Sequence, residues 1–311
     1  MSVIRVAFLG TPEFARYHLE ALTKDPHFEV VGVISQPDRP SGRHMHLTPS
    51  PVKKWALEHN LKVMTFESIK TEEALKEVAA LKAEAAVVVA YGQIVPQAFL
   101  DLFPQKVVNV HGSLLPRWRG AAPIQRAIEH GDETTGVSLQ VMVKKLDAGP
   151  VIGSYPIRID PEWSALRLHD EMMPLGAKLL NVEFMDYLRG NLVPQVQNDS
   201  LVTYASLIDK SESKLDFSKS AVSIMNKIRA FVLGPGCFCE TTNGALKIWS
   251  AKAEAPKGAV GRVIEVNDKS FSIGCGEGSL RVFEVQPASK PRMSTHNFLL
   301  GYKLKVGDQI S

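Results

Sequence analysis

The residue types and spacing of Asn109, His111 and Asp147 suit attack on a carbonyl carbon. In a strand predicted over residues 106–110, alternation places the side chains of Asn109 and His111 on one face, at the end of the strand. An asparagine amide can hold an oxygen that becomes negative during attack, and a histidine can take the proton that the attacking group loses. The turn at Gly149-Pro150 would bring the carboxylate of Asp147 toward the imidazole, where it would orient the ring and stabilise its charged form.

Each of these residues also has a structural explanation when it is considered singly. Asn109 could close the strand by an Asx turn, His111 could be a loop histidine with satisfied hydrogen bonds, and Asp147 could cap a turn. The unusual segment over residues 113–120, with arginines on both sides of a tryptophan, favours a functional site. Ser113 is not part of a Gly-x-Ser-x-Gly motif, so we predict a loop hydrogen bond for its hydroxyl rather than a nucleophilic role.

The first half of the chain alternates short apolar runs with amphipathic stretches. Strands are predicted at 3–9, 29–35, 85–90 and 106–110, and helices at 12–24, 51–59, 72–81 and 121–130. This alternation predicts an α/β fold with a doubly wound, mostly parallel sheet, in which ligands bind at the carboxyl ends of strands. Gly10 and Asn109 both fall at such ends. Thr11 before Pro12 is predicted to cap a helix, because the dinucleotide fingerprint Gly-x-Gly-x-x-Gly is absent.

The pattern changes in the second half of the chain. Residues 191–207 are more polar and predict a linker, and residues 216–230 predict a helix. Short runs at 245–250, 261–266, 271–275 and 279–285, broken by turns that contain Asn and Gly, predict a small antiparallel β-barrel of the OB type. We therefore expect domains at 1–190 and 208–311. The lysines and arginines of the barrel could hold nucleic acid or form a solvated face, and the residues alone leave both alternatives open.

Composition limits the class of protein. A chain of 311 residues with 45% hydrophobic content can form two cores, and a net charge of +3 allows a local RNA contact but no dense positive stripe. Cys237, Cys239 and Cys275 cannot all pair, which indicates reduced thiols in a cytoplasmic protein. His44 and His46 lack a nearby third ligand, so we expect no metal. The N-terminal apolar run is too short to span a membrane, and we expect no membrane contact.

Two segments carry arginines that would suit RNA. Residues 36–51 contain four prolines and no clear period, which predicts a long surface loop. Arg39 and Arg43 in this loop could contact phosphates of a nucleic-acid end, and a solvated charged loop is about equally compatible with them. Arg117, Trp118 and Arg119 could stack on or pair with RNA, or the tryptophan could pack against the edge of the sheet.

Several motifs in register resemble the methionyl-tRNA formyltransferase family over nearly the whole chain. They are Asn109-Val-His-Gly-Ser-Leu-Leu-Pro-Arg-Trp-Arg-Gly120, Gly10-Thr-Pro-Glu-Phe14, Gln36-Pro-Asp-Arg-Pro40, Ala90-Tyr-Gly92, Leu146-Asp-Ala-Gly149, Ile228-Arg-Ala-Phe231 and Gln286-Pro-Ala288. The resemblance implies a formyltransferase-type, Rossmann-like catalytic domain followed by a tRNA-binding barrel. It also implies that the chain is a one-carbon group transferase of translation initiation.

The resemblance further implies the ligands and their positions. The co-substrate would be 10-formyltetrahydrofolate, held along one loop with its pteridine ring against the backbone of neighbouring loops, at Ser113, Leu114, Leu115, Pro116, Tyr91 and Gly92. Core packing is the ordinary alternative for the two leucines. The Arg43 position would enter the acceptor stem of aminoacylated initiator tRNA. His44, Met45 and His46 depart from the usual Gly-Arg-Gly-Lys-Lys of the family, which would remove two cationic contacts or make them depend on pH.

The reaction expected is formyl transfer to the free α-amine of methionyl initiator tRNA by a monomeric enzyme. Asn109 would hold the oxyanion, His111 would remove or relay the amine proton, and Asp147 would fix the imidazole. The same residues could serve another acceptor, such as glycinamide ribonucleotide, an amino sugar or water. The chain could also be an RNA-binding protein with an idle first domain, although the presence together of Asn109, His111 and Asp147 argues for activity.

Overall fold

The computed structural model describes residues 3–41, 46–242 and 244–311, which form two compact units. The first unit contains the described residues up to 120, together with residues 134–158 and 169–204. The second unit contains residues 121–133, 159–168 and the described residues from 205 to 311. The division into domains at 1–190 and 208–311 remains a prediction.

The strands that precede residue 206 include those of one large sheet. They are β1 (Ile4–Gly10), β2 (Phe28–Ser35), β3 (Arg39–Ser41), β4 (His46–Thr48), β5 (Val63–Thr65), β6 (Ala85–Val89), β7 (Val107–His111), β8 (Arg119–Gly120), β9 (Thr134–Val141), β10 (Val151–Arg158) and β11 (Tyr204–Ala205). The large sheet has the order β10-β9-β7-β6-β1-β2-β5. Its strands pair in parallel from β7 to β5, and β9 and β10 pair antiparallel at the other edge.

Helices follow most of these strands. They are α1 (Glu13–Lys24), α2 (Pro51–Glu58), α3 (Glu72–Ala79), α4 (Gln97–Leu100), α5 (Pro123–Glu129), α6 (Ala165–Leu179), α7 (Met185–Leu188), α8 (Ala221–Ala230) and α9 (Thr295–Gly301). The predicted α/β class with a mostly parallel sheet is confirmed. Within the described ranges, no helix has the length and apolar character needed to cross a bilayer.

Side chains cap the starts of α2 and α3, whereas the predicted cap of α1 is not formed. Ser50 caps α2 by accepting a hydrogen bond from the backbone N–H of Lys53, and Thr71 caps α3. The prediction that Thr11 caps α1 is wrong, because its hydroxyl donates to the carbonyl oxygen of Tyr91 at 2.7 Å. Thr11 therefore joins the loop after β1 to the loop after β6, two loops at the carboxyl end of the sheet.

The central strand β1 is buried on both faces, as a parallel sheet requires. Ala7 and Leu9 pack in a core cluster with Val78 of α3 and Phe99 of α4. Phe8 points to the opposite face and is also fully buried. Burial on both faces fixes β1 within the core of the first unit, and the loops that carry the predicted site follow β1 and its neighbours at the carboxyl edge of the sheet.

The second unit contains an antiparallel sheet. Its strands are β12 (Cys237–Thr241), β13 (Gly244–Glu254), β14 (Val263–Val266), β15 (Phe271–Gly274), β16 (Ser279–Pro287) and β17 (Met293–Ser294). Their order is β12-β13-β16-β15-β14, with β17 beside β16. Backbone bonds from 307–311 join the two edges, because Ser311 pairs with Glu240 in β12 and Ile310 donates to the carbonyl oxygen of Gly261 before β14. The predicted antiparallel barrel is confirmed, although β12 was not among the predicted strands.

Candidate active site

The candidate catalytic residues lie at the carboxyl end of β7. Asn109 is paired in register with Val88 of β6 and with Gln140 of β9, and His111 is the last residue of β7. Asp147 lies in the loop between β9 and β10, and its Oδ2 atom is 3.8 Å from Nδ1 of His111. The structure thus brings the three predicted residues to one end of the parallel sheet, where ligands bind in folds of this kind.

The imidazole of His111 is buried, with 6% of the residue exposed, and is held from one side by backbone. Its Nε2 atom lies 2.8 Å from the carbonyl oxygen of Trp118. A carbonyl oxygen can only accept, so Nε2 carries the proton and the neutral ring has its lone pair on Nδ1. The atom that can take a proton therefore faces Asp147. Trp118 has a left-handed backbone, with φ of 62°, and this fold of the loop turns its carbonyl toward the ring.

The carboxylate of Asp147 is fixed at both oxygens. Oδ2 accepts from the backbone N–H of Gly120, and Oδ1 accepts from Nε2 of Gln140, each at 2.8 Å. The residue has a left-handed backbone with φ of 44°, a conformation that aspartate and asparagine tolerate better than most other residues. Gly149 makes the turn possible, because a Cβ there would lie 1.7 Å from the carbonyl oxygen of Val141.

Asn109 presents a side-chain amide that no described protein group engages. The residue is half-buried, and among the residues that the structure describes none makes a hydrogen bond to this amide. The neighbouring Gln140 is buried, and its Oε1 atom also has no partner within the described chain. The Asn109 amide, a donor, and the Oε1 atom of Gln140, an acceptor, therefore lie on the neighbouring strands β7 and β9. Both are close to the points where the loops that follow these strands begin.

The loop predicted to hold folate begins directly after His111. The Ser113 hydroxyl donates to the carbonyl oxygen of Arg117 at 2.6 Å, so the predicted loop hydrogen bond is confirmed. Leu114, Leu115 and Pro116 follow and are each partly exposed. Leu114 packs over Gly136, where a Cβ would come within 2.5 Å of the leucine side chain. The loop thus offers apolar side chains on a backbone that Ser113 closes.

Tyr91 and Gly92 lie in the loop after β6. The Tyr91 ring belongs to the core and is 2% exposed, and burial raises the pKa of its hydroxyl to about 12. Its carbonyl oxygen accepts from Thr11 and from the side chain of Gln36. Gly92 is exposed and has a positive φ of 89°. The surface that this loop offers is therefore backbone rather than the tyrosine ring.

The predicted RNA-binding arginines have different surroundings. Arg39 in β3 is exposed and forms an ion pair with Glu67 at 3.0 Å. Arg43 lies outside the described residues. Trp118 and Arg119 are 5% and 1% exposed, which favours the alternative that they pack within the protein over contact with RNA. The loop folds inward at both residues because Arg119 pairs with groups of the first unit, and of this triplet Arg117 alone is exposed.

Two glutamines that shape this site were missed by sequence reasoning. Gln140 holds Asp147, and its signal was a side-chain amide near the end of a buried strand whose other polar residues are serine and threonine. Gln197 donates to the carbonyl oxygens of Asp147 and Gly149, although it lies in a segment that predicts a linker. Across residues 3–41, 46–242 and 244–311, no group of three or more His, Cys, Asp or Glu is arranged to hold a metal ion.

Comparison with known proteins gives the class to which this fold and site belong. The family model described as formyl transferase matches residues 4–182, and the model of the formyl transferase C-terminal domain matches residues 207–303. Among solved structures, the sugar 3N-formyl transferase WlaRD aligns with a TM-score of 0.67 at 19% identity, over 94% of this chain and 100% of that one. HypX from Aquifex aeolicus aligns with a TM-score of 0.66 at 15% identity, over 96% of this chain and 49% of HypX. The fold is that of a formyl transferase.

A curated relative narrows the assignment. The methionyl-tRNA formyltransferase of Bdellovibrio bacteriovorus is 54% identical over 316 residues, with coverage of 100% of this chain and 99% of the relative. This chain belongs to the methionyl-tRNA formyltransferase family. The predicted family, the predicted fold class and the prediction that the chain is a group-transferring enzyme are confirmed.

Proposed function

We propose that this enzyme transfers the formyl group of 10-formyltetrahydrofolate to the α-amino group of methionyl initiator tRNA. The observation that carries the proposal is the free Nδ1 of His111, which faces Asp147 beside the unengaged amide of Asn109. One base, one acid partner and one neutral donor are what amine attack on a formyl carbon needs. The full-length similarity to a methionyl-tRNA formyltransferase supports the choice of acceptor.

Asn109 would stabilise charge at the formyl oxygen. As the amine nitrogen bonds to the formyl carbon, the carbonyl π electrons move to oxygen, and the Asn109 amide would donate a hydrogen bond to it. A neutral donor that already lies in place does not have to give up a protein partner first. The half-buried position of Asn109 strengthens this interaction, because the local dielectric is lower than in bulk water.

His111 would move the proton from the attacking nitrogen to the leaving nitrogen. Nδ1 takes the proton that the amine loses, and the ring then carries a proton on each nitrogen. Asp147, 3.8 Å away, stabilises that charged ring, and the separation would shorten once Nδ1 carries a proton. Nδ1 then returns the proton to the folate N10 as the bond from N10 to the formyl carbon breaks. The products are formylmethionyl-tRNA and tetrahydrofolate, and His111 ends neutral.

The loop after His111 would hold the folate. Leu114, Leu115 and Pro116 are partly exposed and apolar, which fits the flat face of a pteridine ring. The exposed backbone at Gly92 would supply polar contacts to the ring edge, while Ser113 maintains the loop through its bond to Arg117. These residues bind and orient the co-substrate, and its N10-formyl group supplies the carbon that is transferred.

Basic residues would bind the tRNA. Arg39 is exposed, and its ion pair with Glu67 is a surface pair that a phosphate can replace at little cost. By the family resemblance, Arg43 would contact the acceptor stem. In the second unit Lys252, Lys257 and Lys290 are exposed and would contact the RNA backbone, a salt-dependent interaction.

The free cysteines support the proposal that the enzyme works in a reducing compartment. Cys237, Cys239 and Cys275 are all buried and unpaired with one another, as expected of a cytoplasmic enzyme. We propose that the chain acts there as a monomer.

The proposal is tested by mixing the purified protein with 10-formyltetrahydrofolate and methionyl initiator tRNA, and by measuring formylmethionine. Uncharged initiator tRNA, elongator methionyl-tRNA, an amino-sugar nucleotide and a mixture without acceptor are the controls. Formyl transfer confined to the charged initiator is the expected result. Transfer to the amino sugar, loss of the formyl group without acceptor, or tRNA binding without turnover would each contradict the proposal.

A further inference from the structure

Gln197 makes four hydrogen bonds that join two loops of the first unit. Its Nε2 atom donates to the carbonyl oxygens of Asp147 at 2.8 Å and Gly149 at 2.7 Å. Its Oε1 atom accepts from Nε and Nη2 of Arg119, at 3.0 and 2.8 Å. One side chain thus uses its donor group on the Asp147 loop and its acceptor group on the loop that contains Trp118 and Arg119.

The backbone around Gln197 reinforces the same two loops. Gln195 and Val151 exchange both backbone hydrogen bonds at 2.8 Å, which attaches the segment to the start of β10. Thr203 accepts through its hydroxyl from the N–H of Trp118 at 2.9 Å, and through its carbonyl from the N–H of Arg119. Residues 195–203 therefore form a clasp, and Gln197 is its central contact.

The two loops that the clasp joins carry the two groups that act on His111. The Trp118 carbonyl oxygen fixes Nε2, and the Asp147 carboxylate faces Nδ1. The carboxylate of Asp147 is held by Gly120 and Gln140, and its carbonyl oxygen is held by Gln197, so its position depends on contacts from outside its own loop. Gln197 contacts this residue directly, because its Nε2 atom donates to the carbonyl oxygen of Asp147.

We propose that Gln197 is a positioning residue for the reaction, which acts by holding Asp147 at its distance from His111. The assignment of a catalytic effect rests on the proposed formyl transfer. Gln197 touches neither substrate, and its effect passes through the Asp147 backbone. A shift of about 1 Å in a reacting group lowers rates by roughly 100-fold, so the loss of this contact should be visible in kcat.

The variant Gln197→Glu separates the two halves of the contact. A glutamate keeps the acceptor for Arg119 and turns that contact into a partly buried ion pair, so the fold and Arg119 should stay in place. It removes the donor and puts a second carboxylate oxygen against the carbonyls of Asp147 and Gly149, which repels the loop. We expect kcat to fall roughly 10- to 100-fold, while KM for methionyl-tRNA changes less than about twofold.

A double-mutant cycle tells positioning from a general structural role. If Gln197 acts through Asp147, then Gln197→Glu added to Asp147→Asn lowers kcat less than about twofold further, because the contribution of that carboxylate is already lost. A general loss of structure would multiply the two effects instead. Val196→Ala is the matched control, since the neighbouring Val196 is 87% exposed and should keep wild-type kcat.

Hydrogen exchange tests the clasp without any activity. In Gln197→Glu, the amides of residues 145–149 should exchange faster than in the wild type, and in Val196→Ala they should not. Unchanged exchange, unchanged kcat or multiplicative losses in the cycle would each overturn the proposal. Absence of formyl transfer by the wild type would instead reject the proposed function. The hydrogen-exchange comparison would then test only whether Gln197 holds the Asp147 loop.

Discussion

His111 is held by Trp118 through one ring nitrogen and faces Asp147 with the other, and the contact with Asp147 is the longer one. The Nε2 atom lies 2.8 Å from the Trp118 carbonyl oxygen, whereas Nδ1 lies 3.8 Å from Oδ2 of Asp147. Backbone, and not the carboxylate, therefore selects the tautomer. The division leaves Nδ1 free to take a proton, and Asp147 acts on the ring after that proton arrives.

This division of roles predicts the size of the effect of Asp147→Asn. Where an aspartate itself fixes the tautomer, its replacement by asparagine costs about 10⁴-fold in rate. Since Trp118 fixes the tautomer of His111, we expect a smaller loss, roughly 10- to 100-fold in kcat, from weaker stabilisation of the charged ring. Steady-state kinetics measure it, and a loss of 10⁴-fold would show that Asp147 sets the tautomer after all.

Replacement of Gly149 by alanine is expected to lower the stability of the protein rather than only its catalytic rate. An alanine Cβ would lie 1.7 Å from the Val141 carbonyl oxygen, so β9 and the Asp147 loop would have to separate. We expect Gly149→Ala to destabilise the protein by at least about 2 kcal/mol. Denaturant unfolding measures this free energy, with Gly301→Ala as a control, because a Cβ at Gly301 would meet no atom within 4 Å and the backbone there is not left-handed. Equal stability of the Gly149 variant and the wild type would contradict the predicted clash.

The buried His18 should make the protein less stable as the pH falls into the acid range. Burial lowers the pKa of its imidazole to about 4, and Nδ1 donates to the Phe14 carbonyl oxygen. The unfolded chain protonates this residue near pH 6.5, before the folded chain does, so stability present above pH 6.5 is lost as the pH falls toward 4. The slope contributed by His18 should reach about 1.4 kcal/mol per pH unit.

The contribution of His18 is isolated by comparison with His18→Leu. The free energy of unfolding is measured by denaturant titration from pH 7.5 to 4.5 for both proteins. The variant should lose less stability over that range, because leucine has no group that titrates there. Parallel pH profiles for the two proteins would mean that His18 is protonated equally in the folded and unfolded chains.

The sequence predicted the catalytic residues of this site better than the groups that hold those residues in position. Asn109 and His111 could be placed because strand alternation is a local rule, and the helices and strands predicted over the first 130 residues differ from the observed bounds by two residues or fewer. The Trp118 carbonyl could not be foreseen, since every residue has a carbonyl and only the fold of the loop aims it. Gln197 was missed because its partners are about 50 and 78 residues away along the chain.

The wrong prediction for Thr11 has the same origin. A threonine before Pro12 satisfies the local rules for a helix cap, but Pro12 itself occupies the cap position, and the Thr11 hydroxyl donates to the Tyr91 carbonyl oxygen in the loop after β6. Tertiary contacts at the carboxyl edge of the sheet thus override local propensity where loops from different strands meet.

The most direct test of the mechanism is single-turnover formyl transfer by Asn109→Ala. Because no described protein group is bonded to the Asn109 amide, the variant should keep the thermal stability of the wild type and should bind both substrates. The rate of formylmethionine formation should fall by about 10²-fold or more, since the donor to the developing oxyanion is lost. A rate near that of the wild type would contradict the assignment of Asn109, and with it the catalytic geometry proposed for this enzyme.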